Sequence, residues 1–393
     1  MFVFRGNYII SGTISCVHKK PDDEPRFDSS SGFHFGLRVF SQPHSDPKKD
    51  REYIKKAAEL GYTRIFMSML EVKDKEKVSQ KFSEIIGYAK DKGFEVILDI
   101  APAIFDKLGI SYDDLSFFAK LGADGIRLDE GFDGNKEAML SYNPEGLAIE
   151  LNMSNNVAYL ENILSYEANE PFIYGCHNFY PQEGSALPYD FFVSCSQRFK
   201  RHGIKTAAFV TSQSAKFGPW DVNDGLPTLE MHRHLPLELQ ARHLFATGLI
   251  DTVIIGNAYA SDEELKQLAA VDRYKLSLGI EFVPQATELE KKIVTYPKHF
   301  RRGDITASAI RSTMVRVKYA EQANPAHDNT KEFQRGDVVI GNDDFGKYKN
   351  ELQIVLEPHS DPRKNLVGKI PPEELMLLDF VKPWTKFKFV PKN

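Results

Sequence analysis

Cysteine is scarce in this chain of 393 residues, which has only Cys16, Cys176 and Cys195. None stands at a close paired spacing, which argues against a disulfide framework or a thiolate zinc site and fits a reducing compartment. No run approaches the roughly 18 continuous apolar residues of a membrane helix, so no membrane partner is expected. An excess of one charge is lacking too: 50 Lys and Arg face 55 Asp and Glu, for a net charge of −5. With the signs interspersed, there is no electrostatic footprint for nucleic acid or an anionic surface. The segment after the first strand-like run, VFSQPHSDP, contains no glycine, against the phosphate turn of a doubly wound dinucleotide fold. No predicted strand ends in lysine, which disfavours Schiff-base chemistry. Repeats and low-complexity tracts are absent beyond the first residues.

What is present is alternation. The length suits a large domain plus a smaller one. From Gly36 onward, strand-length apolar runs alternate with amphipathic stretches of helical length. The predicted strands cover residues 36–40, 63–70, 95–102, 125–131, 147–155, 172–181, 205–213 and 252–261. Helical patterns such as DREYIKKAAELG, KFSEIIGYAKDKG and LELQARHLFATG end in glycine, the usual left-handed stop. This α/β order predicts an N-terminal (β/α)8 TIM barrel over residues 35–278. Beyond it, EFVPQ, KKIVTY, DVVIGNDDFGKYK, ELQIVLEP, NLVGKI and MLLDFV read as short strand-like runs of a β domain over 279–393, a small barrel. Residues 1–34 hold a short apolar run ending near Cys16, then PDDEPRFDSSSG. Interrupted by Asn7, Tyr8 and Ser11, the run fits a poorly ordered leader better than a signal segment.

Barrel enzymes carry their chemistry at the carboxyl ends of the strands. Asp99 stands near the third such end, Arg127, Asp129 and Glu130 at the fourth, and Glu150 and Asn152 at the fifth. The sixth run ends in His177, Asn178 and Tyr180, and the eighth in Asn257. In GIRLDEG, Ile126 and Leu128 share one face of the strand, while Arg127 and Asp129 share the other. The long connection after the seventh strand carries Trp220, Asp221, Asp224, Glu230 and His232, and loops of that length are more often functional than idle. Carboxylates, amides and aromatic rings together suit a carbohydrate. Two carboxyl groups facing one cavity also supply what glycoside cleavage needs, one protonated toward the leaving oxygen and one ionised. Asp129, Glu150 and Glu130 are the catalytic candidates. Arg127 offers Asp129 an opposite charge, which leaves Glu150 or Glu130 as the candidate protonated partner. Interior Arg–Asp pairs can instead simply close a barrel lumen, and His177 can be a hydrogen-bonded wall residue. His232, His234 and His243 invite comparison with a metal site but lack a ligand constellation, so neither metal nor cofactor is expected.

The segments GIRLDEGFDG, IELNMSNN, GCHNFYPQ, GPWDVNDGLPTLE, GLIDTVIIGNAYAS, RGDVVIGNDDFGKYKNELQI and VGKI resemble the bacterial 6-phospho-N-acetylmuramidase family, from about Phe35 to Val381. The resemblance implies a barrel followed by a cyclophilin-like β domain. It also implies a cytoplasmic glycosidase of cell-wall recycling that splits N-acetylmuramic acid 6-phosphate-β-1,4-N-acetylglucosamine, a phosphorylated amino-sugar disaccharide. The first residues depart from the pattern, which starts near Gly36. Such a substrate bears a phosphate and a lactyl carboxylate, for which arginine is the natural fork. Arg311 and Ser312 in AIRSTMVRVK are expected to reach toward the phosphate. Retaining, inverting and substrate-assisted routes all remain open; the last could use adjacent Asp129 and Glu130 only if the chain turns there, as Gly131 would permit.

Overall fold

The computed structural model describes residues 34–38, 46–69 and 75–392. Cys16 and the expected leader, except His34, lie outside them. Strands β1 (His34–Arg38), β2 (Arg64–Ser68), β3 (Glu95–Ile100), β4 (Gly125–Leu128), β5 (Ala148–Asn152), β6 (Ile173–Cys176), β7 (Lys205–Val210) and β8 (Thr252–Ile255) pair in parallel in chain order. β8 then pairs with β1 and closes the barrel. Around it run α1 (Pro47–Glu59), α2 (Lys75–Asp91), α3 (Pro102–Leu108), α4 (Ser116–Leu121), α5 (Asn135–Leu140), α6 (Tyr159–Leu164), α7 (Tyr189–Arg201), α8 (Leu237–Ala246) and α9 (Asp262–Ala269).

Strand alternation builds two distinct interiors. Leu37, Ile65, Leu98, Ile126, Leu128, Ile149, Leu151 and Val253 point outward into one apolar shell shared with the helices. Each such side chain contributes roughly 2 kcal/mol by leaving water. Phe66, Cys176, Ala207, Phe209 and Ile254, at the other parity, form a separate cluster inside the barrel, joined by Phe179. Helix ends follow local chemistry. The Asp46 carboxylate accepts from the Lys48 and Lys49 amides ahead of α1, a strong N-cap with proline at the first helical position. α4 stops at Gly122, φ +94°, and Gly248 beyond α8 has φ +68°, a region where a Cβ is disfavoured.

The second sheet contains β9 (Leu276–Phe282), β10 (His299–Phe300), β11 (Ala309–Ser312), β12 (Asp337–Gly341), β13 (Leu352–Val355), β14 (Lys364–Lys369) and β15 (Lys386–Pro391). Its seven strands run in the order β10-β15-β9-β14-β12-β13-β11. β9 and β15 are parallel, and the other pairs are antiparallel. The sheet's two edges approach each other, with the Arg302 amide donating to the Arg311 carbonyl at 3.1 Å. Two runs read as strand-like are helical instead. KKIVTY lies largely in α10 (Glu288–Val294), because Thr287 and Glu290 form a reciprocal capping box that outweighs the β-branched residues. MLLDFV lies largely in a 3-10 turn over Pro372–Phe380, entered through Pro371 and Pro372. α11 (Met314–Lys318) completes the domain.

The two sheets' domains share a buried ion pair. Arg242 of α8 donates to both Glu374 oxygens at 2.6 and 2.8 Å, and the Gly279 amide donates to the same carboxylate at 2.6 Å. Leu239 of α8 lies within the apolar core of the second domain.

Candidate active site

The β4 strand ends at Leu128, and the chain bends through Asp129 and Glu130. The Asp129 amide still donates to the Ile100 carbonyl at 2.9 Å, so the bend starts directly on the barrel rim. The Asp129 side chain is 35% exposed, and Glu130 is exposed. The chain therefore bends at the two adjacent carboxylates. Gly131 contributes differently from the expectation: its φ is not positive, but a Cβ there would meet the Tyr159 hydroxyl at 2.6 Å. Close approach, not backbone freedom, calls for glycine at this position.

Arg127 organises the rim. One guanidinium nitrogen donates to Asp99 at 2.7 Å and to Asp129 at 2.9 Å, while another donates to the Asn178 side-chain carbonyl. Asp99 is buried, and burial raises its pKa, opposed by the Arg127 charge and reinforced by Asp129. Asn152 donates to the Asp129 backbone carbonyl at 3.1 Å and accepts from the Ser154 amide at 3.0 Å. Ser154 in turn accepts from the Asn178 amide at 2.7 Å. Four expected residues, Asp99, Arg127, Asn152 and Asn178, thus assemble around Asp129, with Ser154 as a link that strand-end reasoning passed over.

Other candidates are placed elsewhere. Glu150 shares the lumen parity but is wholly buried, and it accepts from Arg64, the first residue of β2. Its partner is the amino-terminal start of β2, while its own backbone is in register with Arg127. His177 points out of the barrel, between Ser154 Oγ at 3.2 Å and Ser196 Oγ of α7 at 2.9 Å. Burial, then the Arg127 charge, pushes its pKa down to about 3. Asn257 is buried and exchanges hydrogen bonds with the Ser212 backbone at 2.8 and 2.9 Å, which ties β7 to β8. Tyr180 is half-buried against the outer shell, with its carbonyl accepting from Arg233 at 3.1 Å. Arg311 forks onto buried Glu351 at 2.7 and 3.2 Å, and Ser312 bonds His299 at 2.8 Å. Both have these partners within the second domain. His232 and His243 spend ring nitrogens on each other at 2.7 Å, whereas His234 is exposed and meets Glu183 at 2.8 Å.

The long loop after β7 is clamped by a residue not singled out from sequence. Buried Arg233 donates to the carbonyls of Tyr180, Gln182, Asp224 and Gly225 and to both Glu230 oxygens. Asp224 is exposed and accepts from the Glu183 amide at 3.1 Å; Asp221, also exposed, follows Trp220. Arg38 of β1 lies over the Phe179 ring at 4.3 Å, on the lumen side. The chemistry available at this end is a pair of adjacent carboxylates beside a fixed guanidinium, flanked by amides and aromatic faces.

Two family models match the chain: 6-phospho-N-acetylmuramidase, N-terminal, over residues 35–270, and its C-terminal counterpart over 276–390. The chain belongs to the 6-phospho-N-acetylmuramidase family. This muramidase family's members are glycosidases, and the substrate it implies is a phosphorylated muramic-acid sugar. Among solved structures, the muramidase is similar to an uncharacterized B. cereus protein, with 55% identity, 91% of this chain and 99% of that chain covered, and a TM-score of 0.85. It is also similar to a conserved Enterococcus faecalis protein of unknown function, with 25% identity, coverage of 92% and 97%, and a TM-score of 0.67. No protein of curated function matches it in sequence. Among the described residues of the muramidase, no helix is long and apolar enough to cross a membrane.

Proposed function

We propose that this muramidase cleaves N-acetylmuramic acid 6-phosphate-β-1,4-N-acetylglucosamine in cytoplasmic cell-wall recycling, with Asp129 and Glu130 as the working carboxylates. The observation that supports this reading is the bend after Leu128, where Asp129 is held by Arg127 and exposed Glu130 follows directly. Glu130, the exposed member, protonates the glycosidic oxygen as the bond to the anomeric carbon breaks. The 2-acetamido carbonyl oxygen of the muramic ring forms the new bond to that carbon, while Asp129, anchored by Arg127, accepts from the acetamido N–H. Water then attacks the cyclic intermediate, gives its proton to Glu130, and releases the sugar with retained configuration. The sealed place of Glu150 against Arg64 supports a supporting role for it in the lumen, not a part in bond cleavage.

The test is incubation of the purified protein with the phosphorylated disaccharide, with and without a chelator. Release of N-acetylglucosamine under both conditions is expected; loss of activity in chelator overturns the metal-free scheme. Glu130→Gln should lower kcat roughly 100-fold or more. A 2-fluoro sugar that leaves a covalent carboxylate ester would replace the substrate-assisted route with a protein nucleophile.

A further inference from the structure

We propose that Trp220 is the platform for the uncharged N-acetylated sugar ring, the leaving half of the disaccharide; the proposal rests on the glycosidase reading above. Trp220 is 46% exposed, although its indole is the kind of surface a fold normally buries. Its ring lies 5.7 Å from that of Phe179 at a tilt of 33°. Phe179 in turn packs on lumen residue Phe209 at 5.2 Å and beneath Arg38 at 4.3 Å. It directly follows Asn178, which is bonded to Arg127. Trp220 is therefore tied to the wall of the mouth that holds Asp129.

The loop presents the indole rigidly. On one side, Phe217 and Ala258 exchange backbone hydrogen bonds at 2.8 and 2.9 Å, joining the loop to the β8 end. Asn223 closes the intervening turn on the Lys216 carbonyl at 2.9 Å, and Arg233 clamps Asp224 and Gly225 on the other side. A fixed aromatic face costs a ligand little ordering entropy.

Charge selects which ring is received. Exposed Asp221 follows Trp220 directly and exposed Asp224 lies three residues further on, while Lys216 and Lys49, the latter 5.4 Å from the Phe217 ring, supply the opposing charge at the start of the loop. The two carboxylates that follow the indole disfavour the muramic ring, with its phosphate and lactyl carboxylate, and accept hydrogen bonds from neutral hydroxyls. The neutral ring can lay its C–H face on the indole while the anionic ring occupies the side nearer Arg127.

The experiment uses product inhibition by each half of the substrate. Trp220→Ala should raise the inhibition constant for N-acetylglucosamine about tenfold, while that for N-acetylmuramic acid 6-phosphate moves less than about twofold. Trp220→Phe should retain most of the affinity. The chain has two tryptophans, so Trp384→Phe, in the second domain, leaves Trp220 as the sole indole reporter; its emission should shift on adding N-acetylglucosamine. Equal losses for both sugars, or no loss for N-acetylglucosamine, overturn the proposal. If Trp220→Ala fails to fold, the emission titration decides, and a silent indole overturns the platform. If the wild-type protein releases no N-acetylglucosamine from the disaccharide, the glycosidase reading fails, while the emission titration still reports on the platform.

Discussion

Asp129 owes its place to three neighbours: Arg127 through the carboxylate, Asn152 through the carbonyl and Ile100 through the amide. Asp129→Asn keeps the shape but alters what the acetamido group meets, so kcat should fall by roughly two to four orders of magnitude with KM little changed. A rise in KM at constant kcat would reassign Asp129 to plain binding. Buried histidines give a separate, acid-side signature. His177 is held down to about 3 and His243 to about 4 from an ordinary 6.5, chiefly by burial. The folded chain keeps them neutral where the unfolded chain takes up protons, so stability is present above pH 6.5 and is lost as pH falls. Each contributes a slope of about 1.4 kcal/mol per pH unit. Asp99, with its raised pKa, acts in the opposite direction. Melting temperatures from pH 7 to 4 should decline, and His177→Gln should flatten the decline. An unchanged slope in that variant would remove His177 from the account.

At the level of elements, the barrel was legible because two periodicities were unbroken. Alternating strands placed Ile126 and Leu128 in the outer shell and Arg127 inside, and glycines such as Gly122 and Gly248 marked helix ends. Face was readable where height was not. Glu150 and Arg64 both carry lumen parity, but their meeting across the barrel depends on strand stagger, which one strand's residues do not encode. The outward turn of His177 was available from parity, since Cys176 before it belongs to the lumen cluster. The loop clamp around Arg233 depends on carbonyls scattered through two connections and left no local pattern. Arg233→Ala would strand Glu230, whose pKa is lowered to about 2, first by its Arg233 hydrogen bond. Removing a buried charge with this many partners should cost about 3 kcal/mol or more. Limited proteolysis should then cut between Ser214 and Leu235, and intact loops in that assay would count against the clamp.

For the whole molecule, the decisive contact is between domains. Arg242 and Glu374 are almost fully buried, and Lys392 approaches the same carboxylate at 3.2 Å. Arg242→Ala leaves buried Glu374 with Lys392 and a single amide in place of its bidentate partner, which should cost about 3 kcal/mol. Because the pair bridges both cores, the melting transition should drop as a single event. Two separate transitions, with the second domain unaffected, would show that the domains are independent. No sequence pattern announced this bond, since its partners lie far apart along the chain and meet only through the docking of α8.

The carboxylate that the second domain lends to α8 also bears on how each module behaves by itself. A barrel parted from it would uncover Leu239 and strip the Arg242 guanidinium of its counter-ion. Either module made alone would carry that uncovered face into solvent, so each is expected to be less soluble than the full chain.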